Sequence, residues 1–303
     1  MPPDAASALE RRAALIGDAL DGQVLRAAGW RVCGALQVLP YDDPGDVPSY
    51  ASMDELLADG LDAVVLDGDD PQLAGHLPDL LAAGLAVLLP TPAPLDAELL
   101  RFARETAPEA VVAVGLVQRW EPWAGTTAAA LALVDGAPLQ CTVRGWPRGR
   151  AAAAELVDLT RQWCGDVVGV AARPARLPAD ELAPGVPVAW TLLHESGASS
   201  LVSHEDGPPV VRLSFPTARW EAGPLGARWI GGAEVALRWE RLPGTVPAGT
   251  PRGLLATAAW LRDAVQTDPA PTPAPADLGD LQAVERALSA LRESARRELA
   301  VEL

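Results

Sequence analysis

The predicted fold class is α/β: an N-terminal Rossmann-like, doubly wound parallel sheet, followed by a C-terminal α+β domain with a mostly antiparallel open sheet. Three observations predict it. Over residues 1–120, short near-continuous apolar runs alternate with amphipathic stretches. That is the pattern of strands buried on both faces and separated by helices. After about Trp120, short strand-like runs follow one another with turn signals such as HESGA and EDGPP between them, which marks antiparallel pairing. A Pro-rich spacer, 268–276, then precedes a long final helix. The expected division is 1–120 and 121–303, with the final helix, 278–299, a candidate for packing back on the first domain.

The elements follow in order. AALIG (13–17) reads as a strand, 21–28 as a helix and RVCGALQVL as a second strand. Ser52 opens a helix with Glu55 three residues on, a capping box. DAVVLDG (62–68) is a third strand, and PQLAGHLPDLLAAG is helical up to Gly84, a C-cap glycine. LAVLLP is a fourth strand, APLDAELLRFARETA a helix, and EAVVAVG (109–115) a fifth strand. Right-handed crossovers make this set doubly wound. In the second part, LQCTVRGW precedes a helix over 151–163. Strands are expected in DVVGVAARPA, PVAWTLLH, ASSLVSHE, PVVRLSFP, ARWIGG and AEVALRWE, with a helix over 252–264.

Composition narrows the function. The 303 residues are 49% apolar, enough for a core in each of two domains. A net charge of −16 opposes nucleic acid and anionic membrane. No apolar run is long enough to span a bilayer, and the N-terminus lacks signal-peptide order, so the expected location is the cytoplasm. Cys33, Cys141 and Cys164 form no CxxC pair and read as buried free thiols; neither a disulfide frame nor a metal site is expected. All 24 basic residues are arginine, so the chain has no lysine.

Local motifs add a resemblance. LIGDALDGQVL joins the first strand to the first helix with Gly17 and Gly22 at the outer glycine positions of GxGxxG and Ala19 at the middle one. GLAVLLPTP ends the fourth strand in Pro90, Thr91 and Pro92, and AELVDLTRQWCG places Glu155, Asp158 and Arg161 before Gly165. In layout and spacing the chain resembles the glucose–fructose oxidoreductase / inositol dehydrogenase / MocA family over nearly its whole length. That family pairs a Rossmann domain with an open sheet and moves hydride between NAD(P) and a sugar or cyclitol hydroxyl. The resemblance implies NAD or NADP as cofactor, a sugar-like ligand, and a homo-oligomer built through the C-terminal sheet.

Carried over residue by residue, the resemblance makes Gly17, Ala19, Gly22, Gln37, Gly68, Pro92 and Arg119 the cofactor-binding candidates. The methyl of Ala19 intrudes where backbone should approach the pyrophosphate. Gln37 replaces the acidic residue that holds the ribose hydroxyls. Gly68-Asp69 replaces a Thr-Pro, and Asp18 and Asp21 put negative charge where phosphates would sit. The catalytic candidates are Thr91, Glu155, Asp158 and His76. Thr91 takes the position of the family lysine, which orients the substrate hydroxyl and assists its proton transfer; threonine does not titrate in the useful range. Glu155 takes the position of the family histidine. It shares a helical face with Asp158, either as an acid–base pair or as a solvated or ion-paired face involving Arg161. His76 reads as a helix histidine or a cofactor-site residue. His194 and His204, each followed by Glu, do not chelate from one strand face. The many tryptophans after residue 120 suit an interface or a core. Three functions remain: an atypical oxidoreductase, a pseudoenzyme acting in binding, regulation or assembly, and a non-redox lyase or cyclase.

Overall fold

The computed structural model describes residues 10–17, 21–36, 47–67, 70–147, 149–173, 189–203, 209–224, 226–231, 252–265 and 274–303. Ala19, Gln37, Gly68, His204, the AEVALRWE strand and most of the Pro-rich spacer lie outside the described residues. The chain forms two compact units, 1–117 with 251–281, and 118–250 with 282–303. The return segment 251–281, which a division into 1–120 and 121–303 assigns to the second part, therefore lies in the first unit.

In chain order the first unit contains β1 (Arg12–Ile16), α1 (Asp21–Ala27), β2 (Arg31–Leu36), α2 (Met53–Ala58), β3 (Ala63–Leu66), α3 (Pro71–Ala74), α4 (Leu77–Ala82), β4 (Ala86–Leu89), α5 (Ala97–Thr106) and β5 (Val112–Val114). A 3-10 turn, Val117–Trp120, leads to α6 (Pro122–Leu131), β6 (Gln140–Arg144) and α7 (Arg150–Cys164) in the second unit. Then come β7 (Val167–Arg173), β8 (Ala189–His194), β9 (Ser199–Ser203), β10 (Val210–Ser214), β11 (Arg219–Gly223) and β12 (Gly226–Ile230). The chain returns through α8 (Arg252–Ala264), and α9 (Leu278–Arg297) leads to β13 (Val301–Glu302).

The five strands of the first unit are all parallel, in the order β2-β1-β3-β4-β5. A single parallel bridge, Ala35 to Ser49, extends the β2 edge. β3 and β4 are buried along their whole length, as apolar runs covered on both faces must be. α8 closes one face: Leu254, Ala258 and Leu261 join Leu15, Leu25, Val65 and Leu88 in one core. Trp30 Nε1 donates to the Ala258 carbonyl at 2.9 Å, which anchors α8 to the first crossover.

Two local features show how sequence sets the elements. Ser52 Oγ accepts from the Glu55 N–H at 3.2 Å, and Glu55 Oε2 accepts from the Ala51 N–H at 2.6 Å. This is a capping box whose carboxylate reaches one residue further back than the standard form. The helix expected across 71–84 is instead two, α3 and α4. In a continuous helix the Pro78 ring would meet the carbonyl of Ala74, the last residue of α3. The chain restarts with His76 as N-cap, and Gly84, at φ +78°, ends α4.

The second unit is an eight-stranded sheet in the order β12-β11-β10-β6-β9-β8-β7-β13. Among the described residues of this sheet, only β6 and β9 pair in parallel. β11 was absent from the expected strands, and ARWIGG supplies its partner β12. Trp123 packs edge-on against Trp146 and Trp163 at centroid distances of 6.0 and 5.8 Å, and Trp190 and Trp220 are also buried, so these five serve the core. Trp260 belongs to α8 in the first unit, not to the second. On the other face, Leu193 and Leu201 are exposed, and across β6 from Leu201 runs an ion-pair ladder, Arg212–Glu221–Arg228. Burial alone would raise the Glu221 pKa; the two guanidinium groups outweigh it and hold the carboxyl below its usual range. Cys141 and Cys164 are buried free thiols, while Cys33 is half-buried.

The turn after β8 caps α7. His194 Nδ1 lies 2.7 Å from the Gly165 carbonyl, and Ser196 Oγ donates to the Cys164 carbonyl at 2.5 Å. The Gly165 carbonyl only accepts, so Nδ1 carries the proton and Nε2 accepts from Ser200 Oγ at 2.7 Å. Desolvation lowers the His194 pKa, against the Gly165 hydrogen bond. A histidine whose folded pKa is depressed stabilises the fold fully above its unfolded pKa and loses that contribution as pH falls through the folded value. The urea midpoint is therefore expected to fall as pH drops below about 6.5, and His194→Gln is expected to flatten that part of the curve. Parallel pH profiles for the two proteins would contradict this.

Candidate functional site

Because the strands of the first unit are parallel, their carboxyl ends collect at one edge. Gly17 follows β1, Asp67 follows β3, Thr91 lies two residues past β4 and Gly115 follows β5. β1 lies between β2 and β3, so the strand order reverses there, and the crevice outside the ends of β1 and β3 is the topological switch point where open α/β sheets take ligands.

Gly17 has φ +105°, and a Cβ at this position would stand 2.5 Å from Asp67 Cβ. Both the backbone turn and the close approach require glycine. A Cβ on Gly22 would meet Leu15 Cδ1 at 3.2 Å, the tight helix–strand contact expected of the third glycine. Asp67 itself was not among the sequence candidates. Its N–H donates to the Ile16 carbonyl at 2.9 Å, which pins the residue between β1 and β3.

Thr91 is half-buried and Pro92 buried. The Thr91 carbonyl accepts from the Ala93 N–H at 2.8 Å, and the Gly115 N–H donates to the Leu89 carbonyl at 2.7 Å. The first bond tightens the turn after β4, and the second fixes the ends of β4 and β5 beside one another. His76 is half-buried at the N-cap of α4, where its side chain makes no capping bond. At the opposite edge of the sheet a cavity of about 430 Å³ is lined by Asp62, Leu81, Ala86, Glu109 and Val265 among others. Asp62 there is engaged by the Arg11 guanidinium at 2.7 Å and the Arg12 N–H at 2.8 Å.

The second unit brings three other candidates together. Arg119 grips Asp158 in a bidentate pair, Nε to Oδ2 at 2.6 Å and Nη2 to Oδ1 at 2.5 Å. Asp158 is fully buried. Gln162, with its amide oxygen turned to the guanidinium, accepts from Arg119 Nη2 at 3.0 Å. One helical turn earlier, Glu155 Oε2 accepts from the Gln118 N–H at 3.1 Å. The shared face of Glu155 and Asp158 thus holds the turn at residues 118–119. Arg161, weighed in the sequence as a partner for that face, pairs with Asp166 at 2.6 Å. Among the described residues, no group of three His, Cys, Asp or Glu side chains is placed to hold a metal ion. No helix among them is long and apolar enough to cross a membrane.

No family model matches the sequence, and no curated protein matches it. Solved structures do. An oxidoreductase from Agrobacterium radiobacter, solved with NAD+, L-tartaric acid and magnesium, is 16% identical with a TM-score of 0.76, covering 97% of this chain and 98% of that one. A myo-inositol dehydrogenase from Corynebacterium glutamicum is 19% identical at TM-score 0.70 over 97% and 99%. An aldose-aldose oxidoreductase from Caulobacter crescentus, complexed with glycerol, is 16% identical at 0.73 over 97% and 100%. The chain has the two-domain fold of the glucose–fructose oxidoreductase / inositol dehydrogenase / MocA enzymes. At these identities the likeness is one of architecture, and the chemistry must be argued from this chain's own residues.

Proposed function

We propose that this chain is an oxidoreductase-like protein that keeps the switch-point crevice of a dinucleotide-binding fold but not ordinary hydride-transfer catalysis, and that it works as a binding or regulatory protein. The observation that carries this reading is the absence of lysine from all 303 residues, with Thr91 after β4 at the position where the resemblance expects one. Oxidising a hydroxyl by hydride loss needs a group that takes up the hydroxyl proton. Threonine does not do this near neutral pH. Glu155 and Asp158, the candidate substitutes, bond the Gln118 N–H and Arg119, which supports a role in holding the turn.

Gly17 and Gly22 meet the backbone requirements of a pyrophosphate turn. Two features weaken the fit: the Asp67 side chain packs against the Gly17 turn, and α1 has only seven residues, hence a short dipole. We therefore read NAD(P) binding as weak or lost and route no chemical step through it.

Titration with NADH and NADPH, followed by the unfolding transition, checks this. If Kd is about 1 mM or weaker, stabilisation at 1 mM is expected to be at most about 0.4 kcal/mol by mass action. Stabilisation of about 2.7 kcal/mol at that concentration, as for a Kd near 10 μM, would overturn the cofactor part of the reading.

A further inference from the structure

We infer that Cys141 and Cys164 are a dithiol–disulfide site in the core of the second unit, oxidised by a small hydroperoxide, with Ser200 and His194 as the path for the thiol proton. The inference is independent of how the first unit treats a dinucleotide. Cys141 lies on β6, and Cys164 is the last residue of α7. Across the parallel β6–β9 ladder Cys141 is paired with Ser200, so both side chains leave the same face of the sheet. That face is the buried one: Cys141 and Ser200 are fully buried, and Cys164 is 1% exposed. α7 packs against β9, and Ser200 Oγ stands 4.0 Å from Cys164 Sγ. The two thiols also share a hydrogen bond. The fold thus brings both sulfur atoms to one place, the first requirement for a disulfide.

A cysteine attacks as its thiolate. The bond between the thiols holds Cys164 below its ordinary pKa, against desolvation, and together with burial it raises that of Cys141. Cys164 is therefore the nucleophile and Cys141 the resolving thiol. His194 Nε2 accepts from Ser200 Oγ at 2.7 Å, while its Nδ1 proton is held by the Gly165 carbonyl. The Cys164 proton passes to Ser200 Oγ as the Ser200 proton passes to Nε2. This leaves an imidazolium and a thiolate that accepts from Ser200. The thiolate attacks one peroxide oxygen and the O–O bond breaks, giving a sulfenic acid on Cys164 and an alkoxide (hydroxide from hydrogen peroxide) that takes up the His194 proton. The Cys141 sulfur then attacks the sulfenic sulfur, the S–O bond breaks, and water leaves with the Cys141 proton. Two thiols lose two electrons, and one hydroperoxide is reduced to an alcohol and water. Burial favours a small, uncharged oxidant over a bulky disulfide, whereas Cys33 on β2 is only half-buried.

Treatment of the folded full chain with hydrogen peroxide, in a Cys33→Ser background that isolates the pair, tests this by intact mass and by unreduced peptide mapping. The expected product has lost two hydrogens, yields a cross-linked peptide containing Cys141 and Cys164, and recovers both thiols when unfolded and reduced. Ser200→Ala is expected to form that cross-link at least about tenfold more slowly, as for loss of a positioned proton acceptor. A merely loosened core would expose the thiols and speed the reaction, so a rate equal to or above the parent's would overturn the proton path. Oxygen addition at Cys141 or Cys164 without the cross-link would overturn the site itself. So would a pair that stays reduced until urea unfolds the protein.

Discussion

Replacing Arg119 with methionine is expected to destabilise the protein by about 3–5 kcal/mol. Asp158 is fully buried and takes two short charge-assisted bonds from that guanidinium. Removing the cation takes that charge from a carboxylate in the core, a far larger loss than the net value of the pair. Burial decides the size: the side chains of Arg119 and Asp158 are 12% and 0% exposed, whereas the Arg101–Glu105 pair on α5 is 60% exposed on both sides. An exposed pair of that kind contributes about 0–1 kcal/mol. Urea unfolding followed by tryptophan fluorescence reads the difference directly. The double variant Arg119→Met with Asp158→Leu is expected to recover most of the loss, since no charge is then buried. A single variant as stable as wild type would show that the pair carries no structural load and would return Asp158 to the catalytic candidates.

Gly115→Ala is the second large effect, expected at about 3 kcal/mol or more from forced overpacking. An added Cβ would overlap the Pro90 carbonyl oxygen and carbon and lie 3.0 Å from the Leu89 oxygen. All three are backbone atoms, which do not swing aside as a flexible side chain does. The Gly115 N–H also donates to that Leu89 carbonyl, so relief by separation breaks a strand-end bond. The affected segment is the one that presents Thr91. By contrast, Gly125→Ala meets nothing within 4 Å on α6 and is expected to leave the urea midpoint unchanged or raise it slightly. Equal midpoints for the two variants would contradict the packing account.

Much of the fold could be read from the chain because burial imposes period. The buried parallel strands β3 and β4 are apolar throughout, and the amphipathic α8 falls on the residues expected for it. Elements without such a period escaped. β11 buries Trp220, Glu221, Ala222 and Gly223 in succession, so it shows no alternation. α6, PWAGTTAAAL, is built of small residues with no apolar stripe. The helix break at Pro78 is a steric effect of one residue and was overridden by the apolar pattern around it.

The site was less legible than the fold. Gly17 and Gly22 are legible as glycines of a tight strand–helix turn because a turn and a close approach constrain residue type locally. Arg119 and Asp158 were each singled out, but 39 positions separate them and only the fold makes them partners. Asp67 closes the otherwise apolar run DAVVLD, and only the fold brings it against Gly17.

On the proposed reading this chain no longer carries out hydride transfer. The most direct test is NAD(P)H absorbance at 340 nm with the full chain, millimolar NAD or NADP, and a panel of cyclitols and aldoses. No protein-dependent change is expected at any pH at which the protein stays folded. Turnover at about 1 s⁻¹ or faster on any of these substrates, within the ordinary range for enzymes, would contradict it.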